Sequence, residues 1–205
     1  MQNVKNIIFD LGGVILDIDF KRTEAAFRQL GWNDFSDHIN QYLITDLFEQ
    51  YETGKIGDDA FISGIQRLMN KPVEPAEIIE AWNALLVGFP QARIALLKKV
   101  KTKYRTFLLS NTNSIHHGVF QDMLFREQGV YLEDLFEKTY YSHTAKLRKP
   151  EAPFFELVLN ENSLQPGETL FIDDTALNFP EARRLGIQIY HLTDGKKIND
   201  IDLFK

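Results

Sequence analysis

Hydrophobic positions along the chain fall into two kinds of pattern. Four short runs are continuously apolar: Asn6 to Leu11, Arg105 to Asn111, Thr169 to Asp174 and Ile187 to Leu192. A fifth, weaker run spans Phe136 to Ser142. Continuous rather than alternating apolar character predicts strands covered on both faces. Helical periodicity separates the later runs, in NSIHHGVFQDMLFREQG, KPEAPFFELVLNEN and TALNFPEARRLG. Strand alternating with helix predicts a parallel sheet with crossovers.

From Phe20 to about Phe89 the pattern changes. KRTEAAFRQLG, FSDHINQYLITDLFEQYETG, GDDAFISGIQRLMN and VEPAEIIEAWNALLVG all read as helical, and no strand pattern is visible among them. Asp58 fits an N-cap, Pro75 an early helical position, and Gly31 and Gly54 helix stops. The first strand would otherwise need an unusually long crossover to reach the second, so this span is expected to be a helical lobe inserted after it. No internal repeat or low-complexity stretch is present.

Composition narrows the function. The chain has 205 residues, 44% of them hydrophobic, enough for one large core or a core and a smaller lobe. A net charge of −6 argues against a general nucleic-acid binder. With no cysteine, thiolate metal sites, disulfides and cysteine nucleophiles are excluded. No signal segment precedes the first strand and no apolar run has the length of a membrane span, so a soluble cytoplasmic protein is expected.

In open α/β sheets, ligands bind beyond the carboxyl ends of the strands. The first strand ends in Asp10, the second in Ser110-Asn111-Thr112-Asn113, and the third in Asp173-Asp174; Arg148-Lys149-Pro150 precedes a helix. Each has an ordinary structural reading. Asp10 would cap a turn, Ser110 begin a loop, and Lys149 be a solvated charge. The adjacent acids Asp173 and Asp174 are harder to explain that way, since they repel unless cations or donors hold them. Together, the four sets place acids, a hydroxyl, amides and a cation on one sheet edge.

These segments, in order, resemble the motifs of the haloacid dehalogenase superfamily, which is composed mostly of phosphatases: Phe9-Asp10-Leu11-Gly12-Gly13-Val14, Leu108-Leu109-Ser110-Asn111, Arg148-Lys149-Pro150 and Phe171-Ile172-Asp173-Asp174-Thr175-Ala176-Leu177-Asn178. The phrases DLGGVILDIDF, FEQYETGKI and LLSNTNSIH are most similar to a branch that includes glucose 1-phosphate phosphatases. The resemblance implies a Rossmann-like, mostly parallel core over residues 1–18 and 90–205, with an all-helical cap over 19–89. It implies magnesium-dependent hydrolysis of a small phosphorylated metabolite, with a sugar phosphate favoured. Asp10 would be the nucleophile, giving an aspartyl-phosphate. Asp10, Asp174 and the Gly12 carbonyl would hold Mg²⁺, a hard cation that takes oxygen ligands. Asp173 would act from the outer shell, supported by Asn178. Ser110, the Asn111 backbone and Lys149 would hold and neutralise phosphate oxygens.

The sequence departs from that family at one place. Most of its phosphatases carry an aspartate two residues after the nucleophile, which protonates the leaving alcohol; here that residue is Gly12. General acid–base help is worth about 10²–10⁴-fold. A less basic leaving group, a proton from Asp17, Asp19 or a water, and ligand binding without turnover remain open on the sequence; carbon–halogen hydrolysis is the less favoured reading, because Asp173-Asp174 and Lys149-Pro150 suit a metal phosphatase better. His116 and His117 either face the mouth of the site or are ordinary helix-start residues, the latter favoured. Trp82 is favoured as cap core over a substrate-stacking platform. Arg22 is placed to reach a sugar hydroxyl or phosphate or, at least as readily, to form a surface ion pair.

Overall fold

A computed structural model describes residues 3–38, 45–193 and 195–204. The chain order is β1 (Asn6–Phe9), β2 (Asp17–Ile18), α1 (Phe20–Gln29), α2 (Asp46–Glu52), α3 (Asp58–Met69), α4 (Pro75–Asn83), β3 (Leu86–Gly88), α5 (Gln91–Val100), β4 (Arg105–Ser110), α6 (Ser114–Gln128), α7 (Leu132–Leu135), β5 (Lys138–Tyr141), α8 (Ser142–Ala145), α9 (Ala152–Glu161), β6 (Thr169–Asp173), α10 (Phe179–Arg184) and β7 (Gln188–His191), with short 3₁₀ turns between and after them. The predicted strands form one five-stranded sheet in the order β5-β4-β1-β6-β7, every adjacent pair parallel.

Side chains alternate across this sheet, and both faces are covered. Ile7, Phe9, Leu108, Leu170 and Ile172 pack on one side with residues of α5, α6 and α7. Ile8, Phe107, Leu109 and Phe171 pack on the other with α9 and α10. That double burial is why the strands read as unbroken apolar runs. The C-terminal turns add Ile198, Ile201 and Phe204 to the first layer.

The residues between β2 and β3 build a core of their own from Phe27, Trp32, Phe35, Phe48, Tyr51, Phe61, Ile65, Ile78 and Trp82. Rings meet edge to face or stacked, as in Phe48 against Phe61 and Tyr51 against Phe61. Burying each such side chain is worth about 1.5–3 kcal/mol. β2 and β3 pair antiparallel where the chain leaves and re-enters the sheet layers, and Asp19 N–H donates to Leu85 C=O at 2.9 Å.

Several local expectations need correction. A strand, β3, does lie within the span read as wholly helical; at three residues it is too short to carry a pattern. The long helix expected from Phe35 to Gly54 is a 3₁₀ turn, Phe35–Asp37, and then α2; residues 39–44 of that reading lie outside the described residues. Gly57, in extended conformation, is the N-cap of α3, and Asp58 stands one place inside it, where its carboxylate accepts from the Tyr51 hydroxyl at 2.8 Å. Pro75 opens α4 as expected, and Gly31 and Gly54 follow helix ends with positive φ.

Candidate active site

The carboxyl ends of β1, β4 and β6 meet at one edge of the sheet, and the residues there face a cavity of about 450 Å³. Asp10 leaves β1 with its N–H bonded to Ile172 C=O at 2.9 Å, which fixes it between β1 and β6. Lys149 is 2% exposed and reaches in from the loop before α9. Its Nζ donates to Asp10 Oδ1 at 2.6 Å and to Asp173 Oδ2 at 2.8 Å.

Asp173 is fully buried. It also accepts from the Thr175 N–H at 2.7 Å and from Asn178 Nδ2 at 2.9 Å. Its direct partner is thus Lys149, and Asn178 supports it as expected. Asp174 lines the cavity, and oxygens of Asp10, Asp173 and Asp174 lie within 4.8 Å of one another.

Three carboxylates so close leave the cluster short of positive charge. Burial pushes Asp10 up to about 7; Lys149 opposes the rise, while Asp173 and Asp174 add to it. Burial also raises Asp174, again with help from Asp173. For Lys149, burial works against the charge, but Asp10 and Asp173 outweigh it and hold the ammonium well above its ordinary range. One lysine cannot balance three acids, so the donor set fits a hard divalent cation. The Gly12 backbone also lines the cavity, and its carbonyl accepts no hydrogen bond from the described residues.

Two adjacent glycines play different parts. Gly13 has φ +73°, and a Cβ there would stand 2.2 Å from Asp174 Oδ2. The close pass of the chain over Asp174 therefore requires glycine. Gly12 has no positive φ, and a Cβ would meet only the tip of Ile18 at 2.9 Å. Conformational freedom peculiar to glycine is thus needed at Gly13 and not at Gly12.

Ser110 ends β4 with its side chain 2% exposed at the cavity floor. Asn111 has a part that sequence reasoning missed. Its side chain donates to Lys149 C=O at 3.0 Å and accepts from Lys149 N–H at 2.8 Å, so it clamps the lysine loop to the end of β4.

The two acids considered as proton sources do not line the cavity. Asp17 accepts from Arg93 Nη2 at 2.7 Å, a buried guanidinium that also holds Ile15 C=O. Asp19 caps α1 by accepting from Lys21 N–H at 3.0 Å. Arg22 forms a loose exposed pair with Asp19 at 3.7 Å, as expected.

The upper walls come from both layers of the molecule. Phe48, Glu52 and Trp82 come from the helices between β2 and β3 and Leu85 from the turn after α4, and they share the cavity with Thr112, Asn113, His116 and Phe120. Hydrogen bonds lock these faces. Trp82 Nε1 donates to Asn113 Oδ1 at 3.3 Å, and the Ile115 N–H donates to the Tyr51 hydroxyl at 3.2 Å. His116, in the first turn of α6, is buried against Trp82 and lines the cavity, so of the two readings it takes the one that faces the site.

Comparison with known proteins agrees with this geometry. The family model of haloacid dehalogenase-like hydrolases matches residues 4–186. A D-ribitol-5-phosphate phosphatase of Bacteroides thetaiotaomicron is 30% identical over 192 residues, covering 94% of this chain and 93% of that protein. A sesquiterpene phosphatase of Aspergillus oryzae is 29% identical over 195 residues, covering 93% and 90%. Among solved structures, a variant of a haloacid dehalogenase family enzyme from Bacteroides thetaiotaomicron, in complex with magnesium and inorganic phosphate, superposes with a TM-score of 0.93 at 36% identity, covering 98% of this chain and 99% of that one.

Proposed function

The chain belongs to the haloacid dehalogenase-like hydrolases and is a phosphatase with magnesium as cofactor, and we propose that it hydrolyses a small sugar or sugar-alcohol phosphate through an aspartyl-phosphate on Asp10. The observation that carries this reading is the meeting of Asp10, Ser110, Asn111, Lys149 and Asp174 on one cavity, with Lys149 bridging Asp10 and Asp173. The similarity to two phosphatases favours ester hydrolysis over halide release and over binding without turnover.

In this mechanism Asp10 presents a carboxylate oxygen to phosphorus. A phosphoryl group is ringed by negative oxygens, so an anionic nucleophile needs neighbouring positive charge. Lys149 supplies part of it, fixed by Asp173 and by the Asn111 clamp. Ser110 Oγ and the backbone at Asn111 bind phosphate oxygens. Asp10, Asp174 and the Gly12 carbonyl are the groups that would hold Mg²⁺. Bound there, the ion supplies Lewis-acid charge neutralisation at the phosphoryl group.

The residues from 19 to 89 serve as a cap over this floor. They contribute Phe20, Phe48, Trp82, Leu85 and Leu86 to an apolar wall suited to the carbon skeleton of the leaving group. A Bacteroides relative named for D-ribitol 5-phosphate supports a sugar-alcohol or sugar ester. Phosphate release from a panel of sugar 1-phosphates, terminal sugar phosphates and sugar-alcohol phosphates, with Mg²⁺ and with EDTA, tests the reading. Magnesium-dependent turnover of one class is expected. Failure on every ester would overturn it.

A further inference from the structure

Gly12 leaves the reaction without the usual proton donor, and Asp17 and Asp19 are engaged away from the cavity. Among the described residues, the carboxyl side chains lining the cavity are Asp10, Asp174 and Glu52. The first is the nucleophile and the second a metal-site acid, so Glu52 is left without a task.

Glu52 is the last residue of α2, on the cap side of the cavity and opposite the Asp10 floor. Its placement is set by close packing. Gly54, with φ +62°, passes so near α8 that a Cβ would lie 2.0 Å from His143 C=O. Tyr51, one residue before Glu52, is tied through its hydroxyl to Ser114 at 3.1 Å and to Asp58. The turn at the end of α2 is thus pressed onto the core, and Glu52 projects beside the lysine loop. There Arg148 Nε donates to Glu52 Oε1 at 3.2 Å, both side chains being 18% exposed.

We infer that Glu52 is the general acid and base of the phosphatase reaction, a carboxyl delivered by the cap in place of the one absent at Gly12. The inference rests on the phosphatase reading above. In the first step, an Asp10 oxygen bonds to phosphorus as the ester P–O bond breaks. The Glu52 proton passes to the departing oxygen, and the alcohol leaves. In the second, a water oxygen bonds to phosphorus and the Asp10–phosphorus bond breaks. The proton from water returns to the Glu52 carboxylate, and inorganic phosphate departs. Arg148 steadies the carboxylate between the two steps.

The surroundings suit a carboxyl that changes state. Burial raises the Glu52 pKa, and Arg148 beside it and Lys149 beyond it pull in the other direction; Glu49, one turn back, adds to the rise. From α8, His143 is kept neutral at ordinary pH by burial, with a pKa lowered to about 4, and Lys146 is exposed at that helix's C-terminal end.

The test compares leaving groups. kcat/KM reports the first step alone, up to alcohol release. In Glu52→Gln, kcat/KM for the fastest primary-alkyl ester of the panel is expected to fall about 100-fold or more. For p-nitrophenyl phosphate, whose leaving group needs little protonation, it should stay within about threefold. The fall of alkyl-ester activity toward high pH, present in wild type, should vanish in the variant. Equal losses on both esters with an unchanged pH profile would mark Glu52 as a cap-docking residue and overturn the inference, as would no loss at all. If Glu52→Gln does not fold, Arg148→Met serves. Removing the cation should move the descending limb to higher pH, and an unmoved limb overturns the inference. No turnover of either ester by the wild type would overturn the phosphatase reading and this inference with it.

Discussion

Trp82 and His116 stack with ring centroids 4.7 Å apart and planes 14° from parallel, and His116 Nε2 sits 3.0 Å from the Trp82 carbonyl. The carbonyl only accepts, so Nε2 carries the proton. Nδ1 then accepts from Asn113 Nδ2 at 3.0 Å, while Asn113 Oδ1 takes the Trp82 indole N–H and the His116 backbone N–H. Every member of this buried network is satisfied only when the imidazole is neutral.

Acid should therefore loosen the molecule. Burial lowers the His116 pKa to about 4, below its ordinary value of 6.5. A group depressed on folding binds more protons when unfolded, so its contribution to stability is intact above about pH 6.5 and is lost as pH falls toward 4. The loss is worth roughly 3 kcal/mol for this histidine. Melting temperatures of wild type and His116→Gln between pH 7.5 and 4.5 should converge as pH falls. Parallel curves would show that another group controls acid stability.

Asp10→Asn should abolish turnover by about a thousandfold or more, because the amide cannot attack phosphorus. The fold should survive, since Lys149 keeps Asp173 as a partner. Phosphate release together with a thermal melt checks both halves. Near-normal activity in a folded variant would remove Asp10 from the mechanism.

EDTA should stop the reaction, and added Mg²⁺ restore it. Asp174→Ala should raise the Mg²⁺ concentration for half-maximal activity by about 100-fold or more, a larger change than loss of a supporting residue brings. A Mg²⁺ titration that superimposes on wild type would show that Asp174 is not a ligand.

The neighbouring glycines should part company. Gly13→Ala forces a side chain into the left-handed region, at a cost of roughly 1–3 kcal/mol before its contact with Asp174 is counted. Gly12→Ala should stay within about 1 kcal/mol of wild type, because the tip of Ile18 can turn aside. Urea unfolding of the two variants decides the matter, and equal stability would contradict the close pass over Asp174.

Gly12→Asp restores a carboxyl two residues after Asp10. Placed in the Glu52→Gln background, it should recover about tenfold in kcat/KM on a primary-alkyl ester, while leaving p-nitrophenyl phosphate little changed. If the double variant folds and shows no recovery, a carboxyl at position 12 does not reach the leaving oxygen.

The sheet was legible because burial on both faces writes strands as unbroken apolar runs, and the acids at their ends stood out against that background. Asp10, Ser110, Asp173 and Asp174 converge from their strand ends, and Lys149 joins them from the loop before α9. What stayed hidden depends on contacts between distant segments. Nothing local tells Asp17, which meets Arg93, from an acid facing the cavity. Glu52 and Arg148 lie 96 positions apart, and only the packing of α2 on α8 brings them together. Asn111 announced a backbone role by its motif, whereas its side chain does the bracing of Lys149. β3 escaped because three residues give no period.

The hydrogen bonds of Tyr51 and Trp82 reach residues 113–115, a few positions after β4 ends at Ser110. That adjacency bears on interchange of parts between relatives. A foreign helical insert spliced into the β2–β3 ribbon would inherit a correct point of attachment and no alignment mark. To sit true over the reaction floor, the graft must bring equivalents of Tyr51 and Trp82, or the recipient's 113–116 segment must travel with it. Recombination between members of this group is thus constrained less by the splice points than by a four-residue stretch more than twenty positions downstream of the second one.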